Sequence, residues 1–291
     1  MKYPAVSLVI CTRNRAARLT TCLQYVSRIE TSHTWELVLV DNGSTDGTAA
    51  VLAEYAAAAA FPVTVVFEAK PGLGRARNAG WRAARGDLVA FTDDDCYVAP
   101  DYLDRMREAF IDKRVGFAGG RVELFDPSDV PMTIKTSVQP ESREPRSFIQ
   151  PGWLPGASMT FRRRVLEAIG GFGDDLGAGT RFCCEDGDAQ ARASFAGWRG
   201  LYIPDAVVAH HHGRKAQAAA ALRRIYSTGT GAYMAKFMLL RETRSIYLRN
   251  WYWTFRRTLA GGYAYRDLLW EIQGAAAYLT YRLRKRIANG R

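Results

Sequence analysis

Leu88-Val89-Ala90-Phe91-Thr92-Asp93-Asp94-Asp95 decides how the rest of the chain is read: four apolar residues in a row, then, one residue on, three carboxylates. The apolar run predicts a strand buried on both faces, as in a parallel sheet. Such a strand delivers the residues that follow it to the rim where open α/β sheets bind ligands. Adjacent carboxylates repel one another, so a site that keeps them ionised needs a counter-cation, and oxygen donors suit Mg2+ or Mn2+. An isolated acidic triplet is more often a solvated turn, so the segments around it carry the decision.

Working outward, strand-like runs at 6–11, 36–40, 63–67, 88–91 and 115–119 alternate with helical stretches at 16–27, 48–60, 73–84 and 102–110. This alternation predicts βαβ units around a parallel sheet, an α/β fold. Polar turns follow the strands: Thr12-Arg13-Asn14-Arg15, Asp41-Asn42-Gly43-Ser44, Lys70-Pro71-Gly72 and the aspartate triplet. All four are expected on one edge, where a crevice forms. The Pro-, Ser- and charge-rich stretch 123–150 predicts a long loop able to order over ligand, and 152–161 returns toward the sheet. A short helix at 163–169 ends at Gly170-Gly171, 185–196 is helical, and Leu201-Tyr202-Ile203 and Val207-Val208 are strand-like. The last segments predict helices separated by Gly261-Gly262. One carries Leu248, Trp251, Tyr252, Phe255 and Leu259 on a face, the other Leu268, Ile272, Leu279, Leu283 and Ile287.

The chain has 291 residues, enough for one large domain or a domain with an appendage. Its five cysteines, Cys11, Cys22, Cys96, Cys183 and Cys184, show no CxxC spacing, which predicts a reduced, cytoplasmic setting. A strand beginning near Val6 leaves no room for a signal peptide, and no apolar stretch approaches the ~18 residues of a spanning helix. Residues 214–291 carry 16 Lys and Arg and 3 Asp and Glu, a balance of +13. The rest of the chain has 24 and 26, a balance of −2, which together give the net +11. A basic tail with interleaved aromatics (Trp251, Tyr252, Trp253, Phe255, Arg256, Arg257) has two readings: contact with an anionic membrane surface, or packing on the main domain or a second subunit.

The order of blocks is more specific than any one of them. Val40-Asp41-Asn42-Gly43-Ser44-Thr45-Asp46 is followed by Gly72-Leu73-Gly74-Arg75-Ala76-Arg77-Asn78-Ala79-Gly80 and then by Gly86-Asp87 leading into the aspartate strand. Beyond them come Trp153-Leu154-Pro155-Gly156-Ala157-Ser158-Met159, Gly170-Gly171-Phe172, Cys184-Glu185-Asp186-Gly187-Asp188 and Pro204-Asp205-Ala206-Val207-Val208-Ala209-His210. From about Ala5 to His212 the chain closely resembles glycosyltransferase family 2, inverting enzymes of GT-A fold that bind a nucleotide-sugar with a metal. The resemblance implies a mixed sheet flanked by helices, forming a catalytic domain over 1–213. Within it, 1–121 would be the nucleotide-sugar-binding half and 122–213 the acceptor-binding and catalytic half, with 214–291 a helical extension.

Carried over residue by residue, the resemblance implies that Thr12, Arg13, Asn14 and Asp41 hold the nucleoside, and that Arg75 faces the diphosphate. It implies Asp95 and Asp93 as metal ligands for Mg2+ or Mn2+, with Asp93 nearer the ribose and Asp94 able to exchange roles with either neighbour. His210 would be the third ligand, with His212, on the same side of a continuing strand, its rival. Asp186 would be the general base, and Glu185, Trp153 and Gly156 would lie on the acceptor side. The implied reaction moves a sugar, most commonly from a UDP-sugar, to a hydroxyl of a glycan or lipid-linked acceptor in cell-envelope or exopolysaccharide synthesis. The implied location is cytoplasmic, at the inner face of the membrane if the tail binds lipid. The chain lacks the Gln-x-x-Arg-Trp motif of processive synthases, and Cys183, Cys184 and Gly187 flank the Glu-Asp pair unusually.

Two rival classes are weaker on these residues. A nucleotidyltransferase is expected to carry a Gly-rich phosphate loop after its first strand, where this chain has Thr12-Arg13-Asn14-Arg15. A nucleic-acid-binding protein would use the aromatic-arginine tail for stacking and phosphate contact, yet no nucleic-acid module accompanies the charge, so none is expected as a partner.

Overall fold

The computed structural model describes residues 4–288 and 290. The four strands of the first half form as expected: β1 (Val6–Thr12), β2 (Trp35–Asp41), β3 (Val63–Phe67) and β4 (Leu88–Asp93) run parallel in the order β3-β2-β1-β4. Their crossovers are α1 (Ala16–Val26), α2 (Thr48–Ala58) and α3 (Leu73–Ala83). After β4 the chain makes β5 (Cys96–Val98), α4 (Tyr102–Glu108), β6 (Val115–Leu124), β7 (Glu141–Arg143) and β8 (Met159–Arg162). It continues through α5 (Arg163–Ile169), α6 (Glu185–Phe195) and β9 (Arg199–His210) to α7 (Ala219–Met238), α8 (Arg244–Leu259) and α9 (Tyr265–Ala288). Strand β8 runs antiparallel between β4 and β6, and β9 pairs parallel to β6, so the sheet is mixed.

The central strands are apolar throughout because helices cover both faces. Alternate residues of one strand serve opposite cores: Leu8 and Ile10 pack on one side with Leu37 and Leu39, while Val9 packs on the other with Val38, Val40 and Phe91. Three features differ from the sequence expectation. The stretch 201–208 is one strand, because the interruption at Pro204 is absorbed as a register shift between Gly120 and Arg121 of the partner strand. The expected loop 123–150 begins inside β6 and contains β7. Helix α7 carries no apolar stripe to announce it, since its contact face is built from small residues, Ser227, Gly229, Gly231, Ala232 and Ala235.

Those small residues let α7 and α9 approach backbone to backbone. A Cβ at Gly231 would lie 1.8 Å from the Glu271 carbonyl oxygen, and one at Gly274 would lie 1.9 Å from that of Thr228. The pair is tied to the sheet domain by buried polar contacts. The Tyr233 hydroxyl donates to the Ile149 carbonyl, Lys236 lies 3.0 Å from Asp175 and 2.8 Å from Asp188, and the Tyr278 hydroxyl donates to Asp175. Of the two faces read in the tail, Leu268 and half of Trp251 turn inward, with the Trp251 indole N–H donating to Glu271. Leu248, Tyr252, Phe255, Leu259, Ile272, Leu279, Leu283 and Ile287 are exposed.

Because the atoms facing Gly231 and Gly274 are backbone and cannot yield, Gly231→Ala and Gly274→Ala should each cost about 1–3 kcal/mol. The check is denaturant unfolding followed by tryptophan fluorescence; an unchanged midpoint in both variants would contradict this helix contact.

Candidate active site

The C-terminal ends of β1, β2 and β4 open on one edge, and the sequence-predicted turns meet there. Thr12 and Asp94 are buried and joined, the Thr12 hydroxyl donating to Asp94 Oδ2 at 2.6 Å. Asp41 is buried at the end of β2, where it accepts the Ser44 backbone N–H at 2.9 Å. Asn14 has φ +54° and staples the first turn to the second. Its Oδ1 accepts the Thr45 N–H, and its own N–H donates to Ser44 Oγ. Arg13 projects to solvent beside it.

Three carboxylates in succession alternate in direction, and each meets a different counter-group. Asp95 Oδ1 lies 3.2 Å from His210 Nε2, while Arg15 lies 3.6 Å from Asp94 and 3.7 Å from Asp95. Burial pushes Asp95 upward but is outweighed by the His210 hydrogen bond and the Arg15 and Arg214 charges, which hold it below the ordinary carboxylate range. Asp94 is pushed up to about 6, chiefly by burial, with the Thr12 bond and Arg15 opposing and its two acidic neighbours adding.

Asp93 meets Arg77. This side chain is 2 % exposed, and its guanidinium lies 3.2 Å from Asp93 and 2.7 Å from Glu185. Arg77 thus joins the end of β4 to the start of α6, at a residue 108 positions beyond Arg77 itself. Gly156 sits against it: a Cβ there would lie 2.8 Å from Arg77 Nη2, and the Gly156 N–H donates to Asp186 Oδ2 at 3.0 Å. Asp186 also accepts the Gly187 N–H at 2.7 Å, so the glycine after the Glu-Asp pair orients the carboxylate. Burial raises both Glu185 and Asp186 above the ordinary carboxylate range, with Arg77 opposing the rise.

The structure therefore brings together Thr12, Asp93, Asp94, Asp95, His210, Gly156, Glu185 and Asp186 around one edge. Other sequence candidates fall elsewhere. Trp153 is buried, its indole N–H donating to Glu141 and its ring edge-on to Phe117, so it is a core residue with no face for a ligand. Arg75 projects outward to an exposed partner, Asp174, at 3.0 Å. His212 lies on the same side of the chain as His210, ring centroids 5.0 Å apart, but its Nδ1 accepts the Arg214 N–H and lies 3.4 Å from Asp129. Burial lowers its pKa, as do His210 and Arg214.

Ligand atoms of Asp93, Asp95, Cys96 and His210 all lie within 4.8 Å of one another. Burial and the adjacent aspartates hold the Cys96 thiol well above its ordinary pKa, and a protonated thiol is a poor ligand. Two carboxylates and an imidazole remain, a donor set suited to Mg2+ or Mn2+. The 3.2 Å between Asp95 Oδ1 and His210 Nε2 is close to the ~3 Å edge of an octahedron with 2.0–2.1 Å bonds. Among the described residues, the buried His210 Nδ1 has no hydrogen-bond partner.

A family model described as Glycosyl transferase family 2 matches residues 7–170. The chain is similar to an uncharacterized glycosyltransferase, alr2836, of Nostoc sp. (31% identity over 56% of this chain and 52% of that protein). It is also similar to glycosyltransferase AglE of Haloferax volcanii (26% over 71% and 67%). The matched segments span 24% to 67% of the curated relatives' lengths. Among solved structures, the fold matches the mannosyltransferase PcManGT of Pyrobaculum calidifontis, in complex with GDP-Man and Mn2+. That match has a TM-score of 0.64 at 22% identity and covers 97% of this chain and 76% of that one. S. aureus TarS 1-349 in complex with UDP-GlcNAc matches with a TM-score of 0.60 at 16% identity, over 83% and 69%. The mixed sheet is thus that of the GT-A fold.

Proposed function

Because the chain belongs to glycosyl transferase family 2, we propose that it moves a sugar from a nucleoside-diphosphate sugar to a hydroxyl of a glycan or lipid-linked acceptor. The reaction is a single displacement with inversion, in cell-envelope or exopolysaccharide synthesis. UDP-sugars are the first donors to test; the neighbours' ligands add GDP-Man to the panel. The observation that carries the reading is the convergence of Asp93, Asp95, His210 and Asp186, from distant segments, at one sheet edge beside Gly156 and Arg77.

Thr12, Arg13, Asn14 and Asp41 lie where the nucleoside would bind, with the buried Asp41 carboxylate suited to accept a base N–H. The diphosphate would then run toward Asp93 and Asp95. Asp93, Asp95 and His210 would hold Mg2+ or Mn2+, with His212 beside them, and a bound ion would supply positive charge to the departing diphosphate. The Arg75–Asp174 pair is exposed, and such surface pairs are worth only ~0–1 kcal/mol, so Arg75 can leave Asp174 for a phosphate at small cost. Asp186 takes the acceptor hydroxyl's proton as its oxygen attacks the anomeric carbon, and two backbone N–H groups keep the carboxylate aimed. Glu185, fixed on Arg77, lies on the acceptor side.

A base must be ionised to work. The upward shift of Asp186 displaces the acidic limb of the kcat profile above its unperturbed pKa of ~3.9, and kcat falls as pH drops through that limb. With a panel of nucleotide-sugars and Mn2+, the wild-type chain should hydrolyse at least one donor slowly. Asp186→Asn should lose transfer by about 10²–10⁴-fold while still binding that donor. Wild-type transfer rates in Asp186→Asn would remove Asp186 from the base role, and no turnover of any donor would contradict the reading.

The tail also bears on the acceptor. No described helix is long and apolar enough to cross a membrane. Outward on α8 and α9 lie Leu248, Tyr252, Phe255, Leu259, Leu279 and Leu283 together with Arg249, Arg256, Arg257, Arg282, Arg284 and Lys285. The acids of α9, Asp267 and Glu271, are buried. An apolar face with only cations around it suits an anionic lipid surface, each arginine contributing ~1 kcal/mol at low salt. Vesicles containing phosphatidylglycerol should retain the chain, and Arg256→Gln with Arg257→Gln should weaken retention. Equal binding to neutral phosphatidylcholine vesicles would contradict this.

A further inference from the structure

A hollow that the transfer chemistry does not use lies between the loop before α6 and the helices α7 and α9. It has a volume of about 430 Å³ and is bounded by Arg181 and Phe182 from the loop before α6, Arg224, Ile225 and Thr228 from α7, and Gln273 from α9. Among the described residues, Arg181 and Arg224 make no salt bridge, and the Arg181 guanidinium lies 5.5 Å from the Phe182 ring centroid. Both are exposed. The lining also has apolar members: Phe182 is buried and Ile225 is 56% exposed. Two guanidinium groups without a carboxylate partner, next to an exposed isoleucine, suit an anion that carries a hydrocarbon chain.

The hollow is coupled to the Glu-Asp pair by a single residue. The Cys183 thiol packs on α7, with Sγ 3.6 Å from the Ile225 carbonyl oxygen, and a Cβ at Gly229 would lie 2.0 Å from the sulfur. Arg181 and Phe182 precede Cys183, and Glu185 and Asp186 follow it, so one short loop carries both the wall of the hollow and the proposed base. Tyr226, the next residue on α7, accepts from Arg214 at 2.8 Å through its hydroxyl.

We propose that this hollow binds the phosphate or diphosphate head of an amphiphilic acceptor carrier, with Arg181 and Arg224 on the phosphate and Phe182 and Ile225 against the first segment of its chain. This rests on the reading that the acceptor is lipid-linked. Arginine pairs match phosphate oxygens in charge and fork geometry, and burying the start of a hydrocarbon chain on Ile225 removes apolar surface from water.

The test is calorimetry on the full chain in EDTA, so that no divalent ion recruits diphosphate to the aspartates. Three probes separate the sources: farnesyl diphosphate, inorganic diphosphate and farnesol. Farnesyl diphosphate should bind at least tenfold more tightly than either of the others, and the double variant Arg181→Gln, Arg224→Gln should weaken it at least tenfold. Metal-dependent binding of UDP should be the same in the variant as in the wild type. Equal affinity for inorganic and farnesyl diphosphate would overturn the amphiphile site, as would farnesyl diphosphate binding that ignores the double substitution. The assay needs no sugar transfer, so failure of the proposed reaction and failure of this site give different results.

Discussion

A fold that gathers five carboxylates at one sheet edge works against itself, because burying like charges costs several kcal/mol per ion unless each is paired. Arg77 is the pairing that makes the edge tenable. Its guanidinium lies between Asp93 and Glu185, is almost wholly removed from water, and stacks within 5.5 Å of the Phe172 ring. One cation thus serves a carboxylate at the end of β4 and another at the start of α6, and Gly156 fits against it only because it lacks a side chain. Asp186 gains from the same arrangement: its Oδ2 is held by the Gly156 N–H, so the cation that fixes the donor edge also fixes the place of the proposed base.

Much of this edge is legible in the sequence, because strand periodicity is a strong signal and a strand end is a fixed place. The aspartate strand, the turns after β1 and β2, and the Glu-Asp helix start fall where their patterns put them. Helical spacing distinguishes Arg77 from Arg75. Gly74, Arg77, Gly80 and Trp81 repeat at three and four residues and form the buried face of α3, while Arg75 lies off that face. Trp153 is a different case. Its block sits near the site, but nothing in a single sequence says whether a tryptophan faces a cleft or, as here, donates to Glu141 within the core.

The tail shows a limit of a different kind. Composition speaks of a basic, aromatic appendage, and the outer faces of α8 and α9 fit that description. Helix α7 does not, because its contact with α9 is made by glycines and alanines that produce no hydrophobic stripe, and because Lys236 pairs with the buried Asp175 and Asp188. The +13 charge therefore divides into cations that close the protein's own interior and cations that face outward. Only the second group is available to a lipid surface or to the phosphate of a bound carrier.

The central claim is that the end of β4 and the start of α6 are one energetic unit joined through Arg77. A double-mutant cycle between Asp93→Asn and Glu185→Gln, read by denaturant unfolding of the metal-free chain, tests it most directly, since the two carboxylates are linked through the guanidinium that both contact. The account predicts a coupling of about 1 kcal/mol or more. Additivity within about 0.3–0.5 kcal/mol would mean that Arg77 does not join the two edges, and would contradict it.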